Sequence, residues 1–301
     1  RKTVLLYAHH DVQPVGDINK WETDPFNPEI INGRLFGRGS GDNKAGVVIH
    51  HEVVKELMKD LPVNIKIFIE GEEEIGSPCM AQFLDEFNKE LEADVIVIAD
   101  SGNIRIGTPT VTTSLRGLVD GFIEVDQPMR PVHSGVGGGV VPDAFMVLSK
   151  IIASFHNEKG ELQIEGLTSS DMDVLELKEE EIKKIFGSED INLFELDSIS
   201  KRLWLEPALS ILAIDAPSTK EAVNLVIPNA KAKVSLRLPP TEDPEHAMKM
   251  LEEHIMKNVP WGANVRFIPE AKGSGIVADP NKEFTKKLVQ NFEEVFNTDA
   301  A

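Results

Sequence analysis

Three consecutive carboxylates, Glu72, Glu73 and Glu74, follow the apolar run that ends at Ile69 and stand just before Gly76. Adjacent carboxylates repel, and like charges at one site raise the pKa of at least one of them unless a metal or a cationic side chain offsets the charge. In such a group one carboxylate can bind a metal while its neighbour handles protons. Taken alone, the same run also describes a solvated acidic loop. Three further segments weigh against the loop, because each ends an apolar or glycine-rich run with a metal-type residue: Val4–Ala8 leads to His9-His10-Asp11, Gly37–Gly41 to Asp42, and Val95–Ala99 to Asp100.

The elements that must deliver these residues can be read from the pattern. Thr3–Ala8 is a short, nearly all-apolar run of the kind found in a strand covered on both faces, and His9-His10-Asp11 lies where its carboxyl end would emerge, the edge at which ligands gather in open α/β sheets. His9 and Asp11 are two apart and point the same way on extended backbone, so His9 could ligate a metal while Asp11 lies behind it, orienting the imidazole or the attacking water. Residues 21–31 are rich in Pro and Asn and read as a surface loop. From Lys44 to Leu61 apolar residues recur at helical spacing, which places Asp42 at or just before a helix N-terminus. Asp42 is there either as the helix cap or because the glycines before it bend the backbone for a close approach. His50 and His51 fall in this helix as packing or surface residues. Val63–Ile69 reads as a strand, residues 78–91 as one amphipathic helix, and Asp94–Ala99 as a second buried strand. Strand, helix, strand, helix, strand is the doubly wound pattern, with every candidate ligand at a strand's carboxyl end or on the loop that follows.

After Thr108-Pro109-Thr110 the character changes. Strands are expected at Leu118–Val125, Leu209–Ile214, Ala230–Leu238 and Ala263–Ile268. Helices are expected at Pro142–Phe155, Glu176–Ile185 and Asp243–Asn258, and a glycine-rich loop at Gln127–Gly139 carries His133. This is a separate α+β unit. His246 and His254 are read as structural or exposed residues on the charged face of one helix. A last amphipathic helix spans Asn281–Phe296.

The 301 residues allow two domains of ordinary size. With 31 basic against 50 acidic residues the net charge is −19, which argues against nucleic acid or an anionic membrane as partner and favours a small substrate. The single Cys79 excludes an internal disulfide framework and a cysteine-built zinc site, fits a reducing compartment, and is assigned to packing. No apolar run approaches the roughly 20 residues of a membrane span. The first residue falls at the edge of a strand with no initiator Met before it, so the sequence reads as a fragment.

Taken together, these segments resemble the M20 family of metallopeptidases, which includes carnosinase-like dipeptidases, carboxypeptidases and aminoacylases. The likeness rests on His9-His10-Asp11-Val12-Gln13-Pro14, Gly37–Lys44, Glu73-Glu74-Ile75-Gly76-Ser77, Asp100, His133-Ser134-Gly135 and Ser235-Leu236-Arg237-Leu238, in the family's order. The first of these is closest to the cytosolic dipeptidase and carnosinase branch. The resemblance implies a doubly wound, mainly parallel α/β catalytic domain with an inserted α+β lid that mediates dimerisation. The catalytic domain would comprise 1–113 and a returning segment, 273–301, and the lid 114–272. It implies two divalent metal ions, usually Zn2+, with Mn2+ or Co2+ as alternatives. Asp42 would bridge them, His9 and Asp100 would serve one and Glu74 the other. Glu73 would be the general base, Asp11 the partner of His9, and Glu72 a spare. His133 would stabilise an oxyanion across a homodimer, and Arg237 would hold the substrate carboxylate. The implied protein is a cytoplasmic hydrolase of dipeptides or N-acyl amino acids, with no nucleic-acid or membrane partner. Two departures stand out: no histidine follows His254 to complete the second metal, and the interval from Pro228 to Arg237 is one residue short, which unsettles any contact at Asn224. The alternatives are a non-catalytic binding or dimerisation module and a deacylase on the same scaffold, acting on succinyl or acetyl groups.

Overall fold

The computed structural model describes residues 1–300, which fall into two compact units, Arg1–Ile106 and the remainder from Gly107.

The first unit contains, in order, β1 (Thr3–His9), β2 (Glu29–Ile31), β3 (Arg34–Phe36), α1 (Lys44–Leu57), β4 (Asn64–Glu70), α2 (Met80–Glu86), α3 (Asn88–Leu91) and β5 (Val95–Ile98). Its sheet is parallel, with β1 between β4 and β5. The register pairs His9 with Glu70 and Tyr7 with Ile98, so the three strands end together at one edge. The central position of β1 explains its apolar run: Leu5, Leu6 and Ala8 are buried. Helix α1 packs on β1, and Gly46 lets its first turn come close to the end of β5, because a Cβ there would lie 2.1 Å from the carbonyl oxygen of Ala99. Helix α2 is tied to β4 by rings, Phe68 stacking on Phe83 at 5.1 Å.

Four local expectations are corrected in this unit. The strand after α3, expected to be buried, is the edge strand β5 of the sheet, and its Ile96, Val97 and Ile98 are exposed. The segment read as loop, 21–31, ends in β2, the first strand of the β2–β3 hairpin, whose turn is Asn32-Gly33 with φ of 51° and 77°; two successive positive φ values are what an Asn-Gly pair supplies in a tight hairpin turn. The helix expected over 78–91 is broken at Phe87 into α2 and α3. Cys79 is exposed rather than packed.

The second unit contains β6 (Ser114–Leu115), β7 (Gly117–Asp126), β8 (Val132–His133), α4 (Ser134–Gly137), α5 (Ala144–Ala153), α6 (Glu179–Ile185), β9 (Ala208–Asp215), β10 (Leu225–Val226), β11 (Asn229–Leu238), α7 (Pro244–Lys257), β12 (Val265–Gly273), β13 (Ile276–Val277) and α8 (Glu283–Phe296). Its main sheet is antiparallel in the order β12-β7-β11-β9. Alternate residues of β7 are buried, so one face of the sheet is apolar, and α5 and α7 cover it. The core between them includes Ile123, Leu148, Ile151, Phe155, Leu236, Leu251 and Ile255, each worth roughly 1.5–3 kcal/mol in apolar burial. His254 belongs to this interior: it is 9 % exposed, stacks on Phe155 at 5.3 Å and meets Ser154 Oγ at 3.0 Å. It sits seven residues after the buried Ala247, on the apolar stripe of α7 and off its charged face. No helix among the described residues is long and apolar enough to cross a membrane.

Candidate metal centre

The carboxyl-end edge of the parallel sheet collects the acidic and imidazole residues. His9, the last residue of β1, is fully buried. Its Nδ1 faces Asp11 Oδ1 at 3.2 Å, and its Nε2 lies 2.9 Å from Asp42 Oδ1, 3.6 Å from Asp100 Oδ1 and 3.8 Å from Glu73 Oε2. An imidazolium donating from both nitrogens satisfies Asp11 and Asp42 together. A neutral ring donating to Asp11 leaves its Nε2 lone pair aimed at the carboxylates. Asp42 is not the cap of α1: that role belongs to Asn43, which is 2 % exposed and whose side-chain oxygen accepts from Gly46 N at 3.2 Å. The Asp42 side chain thereby faces the cluster, 73 % exposed at its mouth, with His9 Nε2 as its partner.

Glu73 and Glu74 lie in a 3-10 turn, Glu73–Ile75, that follows β4. The Glu74 backbone N–H donates to Asp11 Oδ2 at 2.9 Å, so Asp11 connects the β1 and β4 contributions to the site. His9, Asp42 and Glu74 each offer one ligand atom within 4.8 Å of the others, a spacing that could hold a metal ion. Asp100 follows β5 at the same edge and is the nearest further donor to His9.

The electrostatics carry the signature of crowded like charge. Burial pushes the Glu73 carboxyl up; His9 opposes the shift, while Asp100, Glu74 and Asp42 add to it. Asp100 is raised in the same way, by burial first and then by Asp42 and Glu74 against the pull of His9. Burial works against a charged His9, yet Asp100, Asp42 and Glu73 together raise it. Asp11 goes the other way: burial alone would raise it, but the backbone N–H groups at Glu74, Asp11 and Glu73 hold it below the ordinary carboxylate range. A mixed imidazole and carboxylate donor set of this kind suits a divalent cation, which would offset the surplus negative charge.

The match to known proteins is decisive at the level of family. The model of peptidase family M20/M25/M40 matches residues 5–300. The chain belongs to that family. Among curated relatives it is 34% identical to a cysteinylglycine-S-conjugate dipeptidase of Corynebacterium striatum, covering 93% of this chain and 63% of the relative. It is 31% identical to a Beta-Ala-His dipeptidase of Mus musculus over 85% of this chain and 55% of the relative. A solved structure of the dipeptidase Dug1p of Saccharomyces cerevisiae superposes with a TM-score of 0.84 at 25% identity, over 99% of this chain and 67% of that one. This M20 chain thus spans about 63% and 55% of the length of those two curated relatives.

In the second unit of this M20 chain, His133 ends β8 opposite Leu225 of β10; it is exposed, and its Nδ1 accepts from Gly135 N at 3.0 Å. Arg237 lies in β11 between Leu118 and Ala208, with an exposed side chain. Behind it is Arg116, which sequence reasoning passed over. Its guanidinium donates to the carbonyls of Leu203 at 2.5 Å, Glu206 at 2.9 Å and Arg237 at 3.3 Å. Burial, and then the neighbouring Arg237, push Arg116 down to about 10. Two other residues lie near the ligands: His50, read as packing or surface, is buried, and Tyr7 had no expected role. His50 Nε2 meets the Tyr7 carbonyl oxygen at 2.9 Å, and the Tyr7 hydroxyl donates to the buried Glu70 at 2.5 Å. The strict alternation of β1 puts Tyr7 on the side of His9, which was the available signal.

Proposed function

We propose that the protein is a metal-dependent hydrolase that cleaves the amide bond of dipeptides, or of N-acyl amino acids, bearing a free carboxylate. The observation that supports this reading above the others is the convergence of His9, Asp42 and Glu74 within 4.8 Å, with Glu73 and Asp100 alongside. His9 and Asp100 would serve one ion, Glu74 a second, and Asp42 both, with Zn2+ the first choice and Mn2+ or Co2+ compatible with the same ligands. Bound there, divalent cations would polarise the scissile carbonyl and acidify water.

The remaining chemistry belongs to side chains. Glu73, whose carboxyl is raised and whose Oε2 faces the cluster, would take the proton of the attacking water and deliver it to the leaving nitrogen. Asp11 would hold His9 in the tautomer that turns Nε2 to the cation. Arg237 would grip the substrate carboxylate through its planar fork, with Arg116 adding positive potential behind it, and His133 would reach across a homodimer to donate to the oxyanion developing in the neighbouring subunit's site. The relatives' names give cysteinylglycine conjugates and β-alanyl-histidine as the substrates of those proteins, so short dipeptides are the first panel to try. In the same reading 1–113 and 273–301 form the catalytic domain, 114–272 forms a lid whose closure excludes water, the protein is a homodimer through that lid, and it works in the cytoplasm.

The test is Glu73→Gln assayed against a dipeptide panel with added Zn2+. Hydrolysis should fall by roughly 10²–10⁴-fold while Zn2+ binding persists, and Asp42→Asn should lose both. Unchanged hydrolysis in Glu73→Gln would remove Glu73 from the mechanism. Absence of Zn2+, Mn2+ and Co2+ binding by the unmodified protein would remove the metal.

A further inference from the structure

Glu74 stands in a poorly supported place. The turn that carries it has no side-chain cap, its next residue Ile75 is 72 % exposed, and the following Gly76 and Ser77 both have positive φ. Apolar packing therefore does little to fix the carboxylate, and the hydrogen bonds around it carry the task. Three of them come from one residue, Gln13. The Gln13 backbone N–H donates to Glu74 Oε1 at 3.2 Å, and the side-chain amide donates to Glu74 Oε2 and to the Glu74 carbonyl oxygen, both at 2.9 Å.

We propose that Gln13 is a positioning residue that fixes the carboxylate plane of Glu74 and thereby sets the affinity of the cation site that Glu74 serves. The inference rests on the reading of this edge as a metal site and adds to it a residue with no assigned role. Its geometry is specific. A side-chain amide has two N–H groups, and here one goes to each end of the same residue, the carboxylate and the main-chain carbonyl. Asp11, two positions earlier, accepts the Glu74 N–H at 2.9 Å and faces His9 Nδ1 at 3.2 Å. Residues 9, 11 and 13 thus form a single strap: the first is a candidate ligand, the second holds that ligand and the backbone of Glu74, and the third holds the Glu74 carboxylate. Each Glu74 oxygen accepts one N–H from Gln13 and keeps a lone pair for a cation. Hydrogen bonds that orient a ligand in this way typically change metal affinity by about 10–100-fold when lost.

A plain loop staple would use the same contacts, so the test separates the two roles. Gln13→Met keeps the length and the apolar stem and deletes the two side-chain donors. Gln13→Glu replaces the donors with a second anion facing Glu74. Glu74→Gln marks which binding step belongs to Glu74. Each variant and the unmodified chain would be titrated with Zn2+ by chelator competition, and the metal-free melting temperature recorded beside it. The expected result is a metal-free melting temperature like that of the unmodified chain, because Gln13 is exposed, with the Glu74-dependent step weakened about 10–100-fold in Gln13→Met and further in Gln13→Glu. Unaltered Zn2+ affinity in Gln13→Met, while Glu74→Gln loses its step, overturns the role of Gln13 and leaves the metal site standing. A lowered metal-free melting temperature with unaltered affinity makes Gln13 a staple and also overturns it. No Zn2+ binding by the unmodified chain overturns the metal site and the inference together.

Discussion

The two units bury different things. In the unit from Gly107 the interior is a continuous apolar cluster contributed by β7, β11, β12, α5 and α7. In Arg1–Ile106, among the described residues, the buried hydrophobics are Leu5, Leu6 and Ala8, and beside them lie His9, Asn43, His50 and Glu70. Around the candidate metal centre, burial is therefore used to aim polar groups, each at a cost that only a satisfied hydrogen bond offsets. In the second unit it supplies stability. Substitutions in the two places should consequently act on different quantities, stability in the second unit and cation binding in the first.

The largest contrast is between Phe155→Ala and Asp42→Asn. Phe155 is completely buried, and its truncation should cost about 3–5 kcal/mol in urea unfolding without altering Zn2+ affinity. Asp42→Asn touches an exposed side chain amid like charges, so stability should move by no more than about 0.5 kcal/mol while Zn2+ binding is lost. A large unfolding effect from Asp42→Asn would break the contrast. Gly46→Ala sharpens it from the other side. The added Cβ meets the Ala99 carbonyl oxygen, so α1 must shift from the end of β5, at a cost of roughly 1–3 kcal/mol. Because Asp42 precedes α1 and Asp100 follows β5, metal affinity should fall as well; retention of full affinity would show that the two acidic residues are placed independently of that contact. Asp143→Ala is the smaller counterpart in the second unit. Its carboxylate caps α5 through Met146 N and also accepts from Ile227 N, each at 3.1 Å, and its loss should cost about 1–2 kcal/mol with the metal centre unaffected.

The sequence makes legible what repeats at short range. The apolar run of β1, the alternation of β7 and the helical stripe of α5 each state their element and their buried face, and the position of the acidic residues after β1, β4 and β5 follows from a parallel sheet whose strands end together. What could not be read is whatever depends on a partner distant in the chain. Asp42 is open to two readings, cap of α1 or close approach; Asn43 takes the cap because its side chain turns inward to Gly46, beside Ala99. The bonds from Gln13 to Glu74 cross 61 residues and leave no trace in local pattern. Two other misreadings had signals that were present. Asn32-Gly33 is a hairpin pair, and the spacing of Ala247, Leu251 and His254 places that histidine on the buried stripe of α7.

His254 also gives the finest test of the contrast, through pH. Burial pushes it below its ordinary value of 6.5, with Lys257 adding to the shift against hydrogen bonds at Ser154 and Gln163. A histidine whose folded pKa is depressed takes up its proton more readily in the unfolded chain, so the contribution is fully present above pH 6.5 and is lost as pH falls through the folded value. Glu242 has the same sign in a lower window. Burial would raise its carboxyl, but donors from His246 and Thr168 at 2.6–2.9 Å outweigh burial and hold it below 4.5. Its contribution is present above pH 4.5 and is lost below it. The second unit should therefore lose stability in two steps as pH falls from 7. Glu242→Gln should reduce the lower step and His254→Asn the upper one, to which His156, held below 6.5 by burial and then by Arg202, also contributes, while neither changes Zn2+ affinity at pH 7. An unfolding midpoint that stays level between pH 7 and pH 5 in the unmodified chain, or that falls equally in His254→Asn, would mean that the interior around Phe155 is indifferent to charge on that ring.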